Sequence, residues 1–163
     1  MGGVIDTSLR LPATVSVVTD QREALRDADY VFATFNIGGL TATELDYAIP
    51  MRYGVDQCIG DTLGPGGIFR AQRAIPVAVD LARNMSELCP RALLLNYVNP
   101  MAMVCWALGH SPIATVGLCH GVQVSLDLIA HYTGVPKHEI DYRSAGINHM
   151  AWFVRLEHGG RDL

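Results

Sequence analysis

Cys119 and His149 are the two side chains of this sequence that together could hold a transition metal. Cys119 lies in the segment GLCHGVQ, and His149 lies about thirty residues further on in GINHMAWF. A thiolate and an imidazole suit a divalent ion such as Mn, Fe, Co, Ni or Zn, and two protein ligands leave positions open for a substrate. Because the sequence offers no second ligand pair for a structural zinc, the pair predicts an open, catalytic metal site. His120, beside Cys119, could move a proton near neutral pH.

Each of these residues also has a plainer interpretation. A single cysteine at the end of a strand is more often a buried thiol, and a single histidine is more often a hydrogen-bonded core residue. Asn96 and Asn99 bracket the end of an apolar run, where their amides could bind sugar hydroxyls or the carboxamide of a nicotinamide. They could equally form a turn in which Asn99, before Pro100, caps the next helix. Both interpretations of the asparagines stay open on the sequence alone.

The segments that must position these residues alternate between strand-like and helical patterns. Such alternation predicts an α/β fold with a mostly parallel sheet, followed here by a final antiparallel β segment. Polar and glycine-containing segments (NIGG, NYVNP and CHG) follow three of the predicted strands, so we expect those strand ends to meet in one ligand-binding crevice. The predicted strands are 13–19, 29–35, 91–98 and 113–119, the predicted helices are 20–28, 42–54, 67–89, 101–110 and 122–134, and the final β segment is 141–160.

The glycine-rich segment DTLGPGGIFR, residues 61–70, does not have the spacing of a dinucleotide fingerprint. That fingerprint is G-x-G-x-x-G directly after a strand, and it occurs nowhere in this sequence. The segment could cradle an anion on the amides at the start of the following helix, with Arg70 and Arg73 nearby. We favour the simpler interpretation, a turn before a helix.

Composition excludes several classes of protein. The chain has 163 residues, enough for one compact domain, and carries 12 Lys and Arg against 16 Asp and Glu, a net charge of −4. Without a basic run, we expect no nucleic-acid partner. No stretch approaches the ~18 apolar residues of a membrane span, and the N-terminus does not resemble a secretion signal. The four cysteines show no pairing pattern, which predicts free thiols and a cytoplasmic location.

Four long segments, taken together, resemble one enzyme family. DTLGPGGIFRAQRAIP, LLNYVNPMAMVCWAL, VGLCHGVQ and AGINHMAWF, in this order and with these separations, are similar to the NAD- and manganese-dependent glycoside hydrolases of family 4, especially to their α-galactosidase branch. The resemblance runs from about residue 14 to residue 158. It implies a partial Rossmann-like, doubly wound parallel sheet over 1–118, running into the start of an α+β catalytic region over 119–163.

The resemblance implies hydrolysis of α-galactosides by oxidation, elimination, addition and reduction, rather than by two carboxylates. NAD would take a hydride from C3 of the sugar, and the resulting ketone, polarised by the metal, would acidify the proton on C2. A base would remove that proton, the glycosidic oxygen would leave with help from an acid, water would add, and the ketone would be reduced again. The NAD would thus be recycled in each turnover.

The resemblance also assigns roles to individual residues. It implies that Cys119 and His149 are ligands of Mn or another divalent transition metal. It implies that Asn99 holds the sugar hydroxyls, that Asp61 is an acidic substrate-binding residue, and that Asn148 lines the substrate site. Asn36 and Asn96 are expected at the NAD.

Two differences from the phospho-glycosidase branch of the family bear on the substrate. That branch has an aspartate after the metal cysteine, where this sequence has His120, so His120 is the candidate acid. The phospho-glycosidase branch also carries an arginine that binds a sugar 6-phosphate. The corresponding segment of this sequence, TATELDY, contains no arginine. An unphosphorylated α-galactoside is therefore the expected substrate, and a homo-oligomer is expected because family members are usually dimers or tetramers.

The chain lacks the family's glycine fingerprint and the tyrosine regarded as the C2 base. We therefore expect it to be the middle of an enzyme, and we expect these 163 residues alone neither to bind NAD tightly nor to turn over substrate. One alternative is a non-catalytic α/β remnant that serves as an oligomerisation or binding module. Another is a dehydrogenase of the lactate and malate type, against which the pair of Cys119 and His149 argues, since such hydride transfer needs no thiolate-bound metal.

Overall fold

The computed structural model describes residues 14–163 as an α/β structure with two separate sheets. Helices and strands alternate through the first part of the chain, so the predicted fold class is confirmed. The helices are α1 (Gln21–Leu25), α2 (Gly39–Arg52), α3 (Gly64–Leu88), α4 (Met101–Leu108) and α5 (Gly121–Thr133), with a 3₁₀ turn at Lys137–Glu139; the strands are β1 (Tyr30–Ala33), β2 (Leu93–Asn96), β3 (Thr115–Gly117), β4 (Asp141–Ile147), β5 (Met150–His158) and β6 (Arg161–Asp162).

The first sheet is parallel, in the order β1-β2-β3, and is flanked by helices. Ala33 and Leu94 point to one face, where they are buried in the core with α3 and α4. Tyr30, Phe32 and Val116 lie on the other face and are exposed. The core thus lies on one side of the sheet, and an apolar surface lies on the other.

The long helix α3 supplies most of that core through small side chains. Ala71, Ala74, Ala78 and Ala82 recur on one face at helical spacing, and all four are buried. Alanine lets the helix axis approach the sheet closely, while the larger Met85 fills the space at the far end with no exposed surface. Each fully buried side chain of that larger kind stabilises the fold by roughly 1.5–3 kcal/mol.

The predicted strand at 13–19 is wrong for the part that the structure describes, and Ala13 lies outside the described residues. Residues 14–19 form no strand, and Val15 and Val17 are exposed. Their β-branched side chains fit a strand locally, but a strand exists only where backbone groups find a partner. None of the described residues pairs with this segment. The segment ends at Asp20, which caps α1 as predicted by accepting the amide hydrogen of Arg22 at 2.9 Å.

The glycine-rich segment is a turn and the first turn of α3, as the sequence favoured. A Cβ on Gly66 would lie 2.5 Å from the carbonyl oxygen of Gly60, and one on Gly67 would lie 2.5 Å from that of Thr62. The amide of Gly66 donates to Oε1 of Gln57 at 2.8 Å. The glycines are therefore explained by close backbone packing, and the amide of Gly66 is already bonded.

A buried ion pair ties α2 to α3. Asp46 is only 3% exposed, and both of its carboxylate oxygens accept hydrogen bonds from the guanidinium of Arg73. Nε of Arg73 also donates to the carbonyl oxygen of Ile37 at 3.4 Å, in the loop after β1. The hydrogen-bonded Asp46 carboxylate raises the pKa of Arg73 above its usual range. The Arg73 side chain thus joins α2, α3 and the loop after β1.

The backbone of Asp46 is held as firmly as its side chain. Pro50 lies four residues later inside α2 and has no N–H to donate to the Asp46 carbonyl. Nε2 of Gln57 donates to that carbonyl oxygen instead, at 2.9 Å. Since Oε1 of the same Gln57 accepts the amide of Gly66, the glutamine links the end of α2 to the start of α3.

The second sheet is antiparallel, in the order β4-β5-β6, which confirms the final β segment. It follows α5, whose last turn ends at Gly134 with a φ of 73°, the predicted glycine cap. The predicted boundary between 118 and 119 falls between β3 and α5, and the division into two domains stays a prediction. Within residues 14–163, no helix combines the length and apolar character needed to cross a membrane.

We predict that Arg73→Met lowers the free energy of unfolding by ~3 kcal/mol, because it leaves the Asp46 carboxylate buried without its partner. Urea unfolding followed by circular dichroism measures this loss. The matched control is Arg83→Met on the same helix, which removes an exposed ion pair with Asp80 and should change the free energy by less than ~1 kcal/mol. If both variants lost the same free energy of unfolding, the buried pair of Arg73 and Asp46 would stabilise the fold no more than an exposed ion pair does.

Candidate functional site

A cleft of about 520 Å³ lies between the end of β3, the start of α5 and the hairpin β4–β5. Both predicted metal ligands, Cys119 and His149, line it, as does Asn148. The sequence separates these residues by some thirty positions, and the fold brings them to one opening. Further lining residues come from the same three elements: Gly117, Gly121, Val122, Ser125, Ala145, Ala151 and Trp152.

Cys119 follows β3 by two residues and is exposed to the cleft. Its Sγ accepts the amide hydrogen of Gly121 at 3.4 Å, and Gly121 is the first residue of α5. This bond holds the sulfur at the start of α5, in the lining of the cleft, where it is available as a soft metal ligand.

Cys105 also lies close to this region but is less suited to be a ligand. A Cβ on Gly117 would come within 2.9 Å of its Sγ, and the amide of Asn96 donates to that sulfur at 3.5 Å. Burial raises the pKa of the Cys105 thiol, and burial likewise raises that of Cys89. Of these three cysteines, Cys119 is the one in the cleft and open to a ligand.

His149 occupies a strained position in the two-residue loop of the hairpin. Ile147 pairs with Met150, so Asn148 and His149 form the loop, and His149 has a φ of 60°. For a residue with a side chain, this left-handed conformation costs about 1–2 kcal/mol. Strain of this kind is typical of functional sites.

Two buried polar atoms in the same loop have no hydrogen-bond partner among the described residues. They are Nδ1 of His149 and Oδ1 of Asn148. A buried polar atom left unpaired costs about 1–3 kcal/mol, so such atoms are rare unless a ligand or ion meets them. Together with the exposed thiol of Cys119, they give the cleft one sulfur, one nitrogen and one oxygen donor, a set that fits a borderline divalent ion.

Within residues 14–163, no group of three or more His, Cys, Asp or Glu side chains forms a closed metal cage. The two predicted ligands therefore suit an ion that keeps positions for a substrate, rather than a structural zinc with four protein ligands. Their role as ligands stays a prediction.

Asp61 and Asn99, the two predicted sugar-binding residues, are joined directly. Nδ2 of Asn99 donates to Oδ2 of Asp61 at 3.0 Å, and Nε of Arg70 donates to the carbonyl oxygen of Asn99 at 3.2 Å. The alternative in which Asn99 caps the next helix is wrong, because Pro100 is the cap residue of α4 and that cap has no side-chain hydrogen bond. Because Asn99 is bonded to Asp61 through Nδ2, its Oδ1 stays available to accept a hydrogen bond from a hydroxyl.

His120 lies at the first turn of α5 and is exposed. Its Nδ1 and the hydroxyl oxygen of Tyr97 are 3.0 Å apart, and the ring of Tyr97 stacks on Phe32 with a centroid distance of 5.8 Å. The hydrogen bond fixes the imidazole and leaves Nε2 free. Tyr97 was not among the predicted site residues. Its place in the chain, between the candidate residues Asn96 and Asn99 at the end of a predicted strand, could have indicated it.

The two residues expected at the cofactor differ in exposure. Asn36 is exposed beyond the end of β1, where its Nδ2 donates to the hydroxyl of Thr43 at 3.4 Å. Asn96 is 1% exposed; its Nδ2 donates to the carbonyl oxygen of Val98, and its Oδ1 accepts the Val98 amide. Asn96 thus holds the turn between β2 and α4. Its contact with the cofactor stays a prediction, one that requires the buried amide to change partners.

The sequence profile described as "Family 4 glycosyl hydrolase" matches residues 6–135. The chain belongs to glycosyl hydrolase family 4. An α-galactosidase of Rhizobium meliloti (strain 1021) is 47% identical over 155 residues, which make up 94% of this chain and 32% of that protein. An α-galactosidase of Bacillus subtilis (strain 168) is 47% identical over 146 residues, 88% of this chain and 34% of that protein. The family 4 chain thus spans about a third of the length of these relatives.

A solved structure of the family agrees with the fold. The structure of a 6-phospho-α-glucosidase from gut microorganisms, in complex with NAD and Mn²⁺, matches 89% of this chain and 34% of that chain, with a TM-score of 0.80 and 26% identity. The family resemblance drawn from the four sequence segments is therefore confirmed. A member of family 4 also holds both the NAD and the manganese that the resemblance implied.

We predict that His149→Gly is more stable than His149→Ala by about 1 kcal/mol, because glycine accepts a φ of 60° without strain. Urea unfolding of the two variants measures the difference. Ser144, exposed on β4, is the matched control, since there alanine should be the more stable replacement. If His149→Ala were as stable as His149→Gly, the left-handed conformation would not exist in solution.

Proposed function

We propose that this chain carries the metal- and sugar-binding part of an NAD- and Mn-dependent family 4 glycosidase that hydrolyses unphosphorylated α-galactosides. The observation that carries the proposal is the buried Nδ1 of His149, which has no hydrogen-bond partner within residues 14–163 and is held in a strained loop in the same cleft as the exposed Cys119. The two α-galactosidases at 47% identity support the substrate. Because the chain spans about a third of their length, the complete reaction is proposed for the protein as a whole.

Cys119 and His149 would hold the divalent ion. When bound, the ion supplies Lewis-acid polarisation of sugar oxygens, and NAD at the carboxyl edge of the sheet near Asn36 supplies the hydride acceptor. The amide of Gly121 donates to the Cys119 sulfur and so fixes its position in the cleft. The neighbouring Asn148 presents Oδ1 to the same cleft, where it can accept a hydroxyl of the sugar.

Asp61 and Asn99 would orient the sugar beside that pair. Asp61 holds the amide of Asn99 by its Nδ2, so that Oδ1 of Asn99 accepts from a hydroxyl in one fixed direction. The second oxygen of Asp61 accepts the hydroxyl hydrogen of Thr62 at 3.2 Å, which keeps the carboxylate from rotating. Fixed acceptors of this kind position the substrate before reaction.

His120 would hand a proton to the glycosidic oxygen as it leaves. Its Nδ1 is hydrogen-bonded to Tyr97, so the proton would move at Nε2, which is free. His120 is exposed at the start of α5, directly after the cleft residue Cys119, although it does not itself line the cleft.

The residues around the cleft support a substrate without phosphate. Among the described residues that line it there is neither a lysine nor an arginine. A sugar 6-phosphate would therefore bring a double negative charge to a cleft whose described lining offers no lysine or arginine to meet it.

We also propose a cytoplasmic location, a homo-oligomeric state, and a division into a Rossmann-like domain over 1–118 and a catalytic region over 119–163. The four cysteines are all unpaired, which supports a reducing compartment. The exposed apolar side chains of Tyr30 and Phe32 leave surface for a further contact. The change from a parallel to an antiparallel sheet supports the division.

We predict that the chain binds one equivalent of Co²⁺ with a thiolate-to-metal charge-transfer absorption, and that Cys119→Ser abolishes this absorption because serine offers no soft sulfur ligand. His149→Ala should weaken Co²⁺ binding at least tenfold in calorimetric titrations, by loss of the second ligand. Cys58→Ser is the matched control, since Cys58 is also exposed but does not line the cleft. Absorption that survives Cys119→Ser, or a chain that binds no metal, would favour the non-catalytic alternative.

We predict that, with Mn²⁺ present, the chain binds methyl α-galactopyranoside at least about tenfold more tightly than its 6-phosphate. The reason is the lack of a basic side chain among the described residues of the cleft. Ligand-observed NMR titration measures the dissociation constants of the two sugars. Tighter binding of the phosphorylated sugar would exclude the proposed substrate while leaving the metal site untouched.

A further inference from the structure

Trp152 is exposed in the middle of the hairpin that carries His149. It lies on β5, lines the same cleft, and is 64% exposed. The next residue, Phe153, packs edge-on against Tyr142, with a centroid distance of 5.9 Å. Both aromatic residues line the cleft, but Phe153 is packed against another ring whereas Trp152 is largely exposed.

The neighbourhood of Trp152 leaves the indole uncovered. Its partner across the hairpin is Ala145, whose methyl group covers little of the ring, and Ala145 also lines the cleft. In the part of the chain that the structure describes, Trp152 stacks on no other aromatic ring and its indole N–H donates no hydrogen bond. The cleft therefore has a flat apolar wall with one free donor, a combination typical of small-molecule sites.

A pyranose ring is the ligand whose chemistry matches this wall. In galactose the axial hydroxyl on C4 leaves the hydrogens of C3, C4 and C5 together on one face, which forms a continuous apolar patch. That patch suits the negative face of an indole, while the hydroxyls at the ring edge suit the polar donors of the cleft. In glucose the C4 hydroxyl is equatorial and the patch is smaller.

We propose that Trp152 is the stacking platform for the galactosyl ring and that it selects galactosides over glucosides. The inference rests on the proposed function, because it places the ring in the cleft of Cys119 and His149. The hairpin then carries both kinds of contact: His149 and Asn148 meet the polar edge of the sugar, and Trp152 meets its apolar face. Three residues on one hairpin thus set the orientation of the ring.

Tryptophan fluorescence tests the contact directly, because the chain has two tryptophans. Trp106→Phe leaves Trp152 as the reporter, and Trp152→Phe leaves Trp106, which is 79% exposed on α4 and does not line the cleft. With Mn²⁺ present, methyl α-galactopyranoside should shift the emission of the Trp106→Phe chain to shorter wavelength in a saturable way. The emission of the Trp152→Phe chain should not change.

Affinity measurements test the selectivity. Trp152→Ala should bind methyl α-galactopyranoside roughly tenfold more weakly and lose the preference over methyl α-glucopyranoside, while Trp152→Phe should retain part of both. Trp106→Ala is the control and should change neither. An unchanged Co²⁺ absorption in Trp152→Ala shows that the fold and the metal site persist in that variant.

Several results would overturn the inference. If Trp152→Ala bound the galactoside as tightly as the parent chain, or kept its preference over the glucoside, Trp152 would not be the platform, yet the proposed function would stand. A change in molar mass by light scattering, with sugar affinity unchanged, would make the residue part of a protein interface instead. A parent chain that binds no galactoside at all would overturn both the inference and the proposed substrate.

Discussion

The position of Asp46 is the constraint on which the first part of this structure depends. Its carboxylate holds Arg73, and through Arg73 the loop after β1. Its carbonyl oxygen, freed by Pro50, holds Gln57, and through Gln57 the start of α3. A buried carboxylate is costly unless fully paired, so this residue is stable only when both helices and the loop are in place. The segment between the helices contains Asp61, so the position of this predicted sugar-binding residue depends on a contact outside the proposed site.

The other side of the site depends on α5. The first amide of this helix, that of Gly121, donates to the sulfur of Cys119, and Gln123 on the helix donates to the hydroxyl of Tyr142 on β4 at 3.2 Å. Lys137, in the 3₁₀ turn after the helix, donates to the Gln123 carbonyl oxygen at 3.0 Å. Lys137 is in turn paired with Asp127 at 2.7 Å. The separation between the two predicted ligands is thus controlled by one helix, since Cys119 lies at its start and the strand before His149 is anchored along it.

The sequence predicted what depends on neighbours along the chain. The apolar run around Leu94 gave a buried strand, Gly134 ended α5, and the motifs around Cys119 and His149 indicated the cleft and the family. The sequence could not predict what depends on distant partners. The strand at 13–19 needs a neighbouring strand, and the bond between Asn99 and Asp61 joins residues 38 positions apart. The exposure of Trp152 likewise follows from its place opposite an alanine, which only the register of the hairpin reveals.

The left-handed backbone at His149 has a consequence for how this protein can change over generations. A single-base change in a histidine codon can give Asn or Asp, the residues that, after glycine, best accept a positive φ. Either replacement would keep the hairpin intact, and Asn would remove the predicted nitrogen ligand without a penalty in folding. Many harmful substitutions also destabilise the fold, so that the protein is degraded. At this position, a substitution that removes the predicted ligand would leave the stability of the fold unchanged. If His149 is the metal ligand that we propose, selection for the bound ion, and not selection for a stable fold, preserves the imidazole.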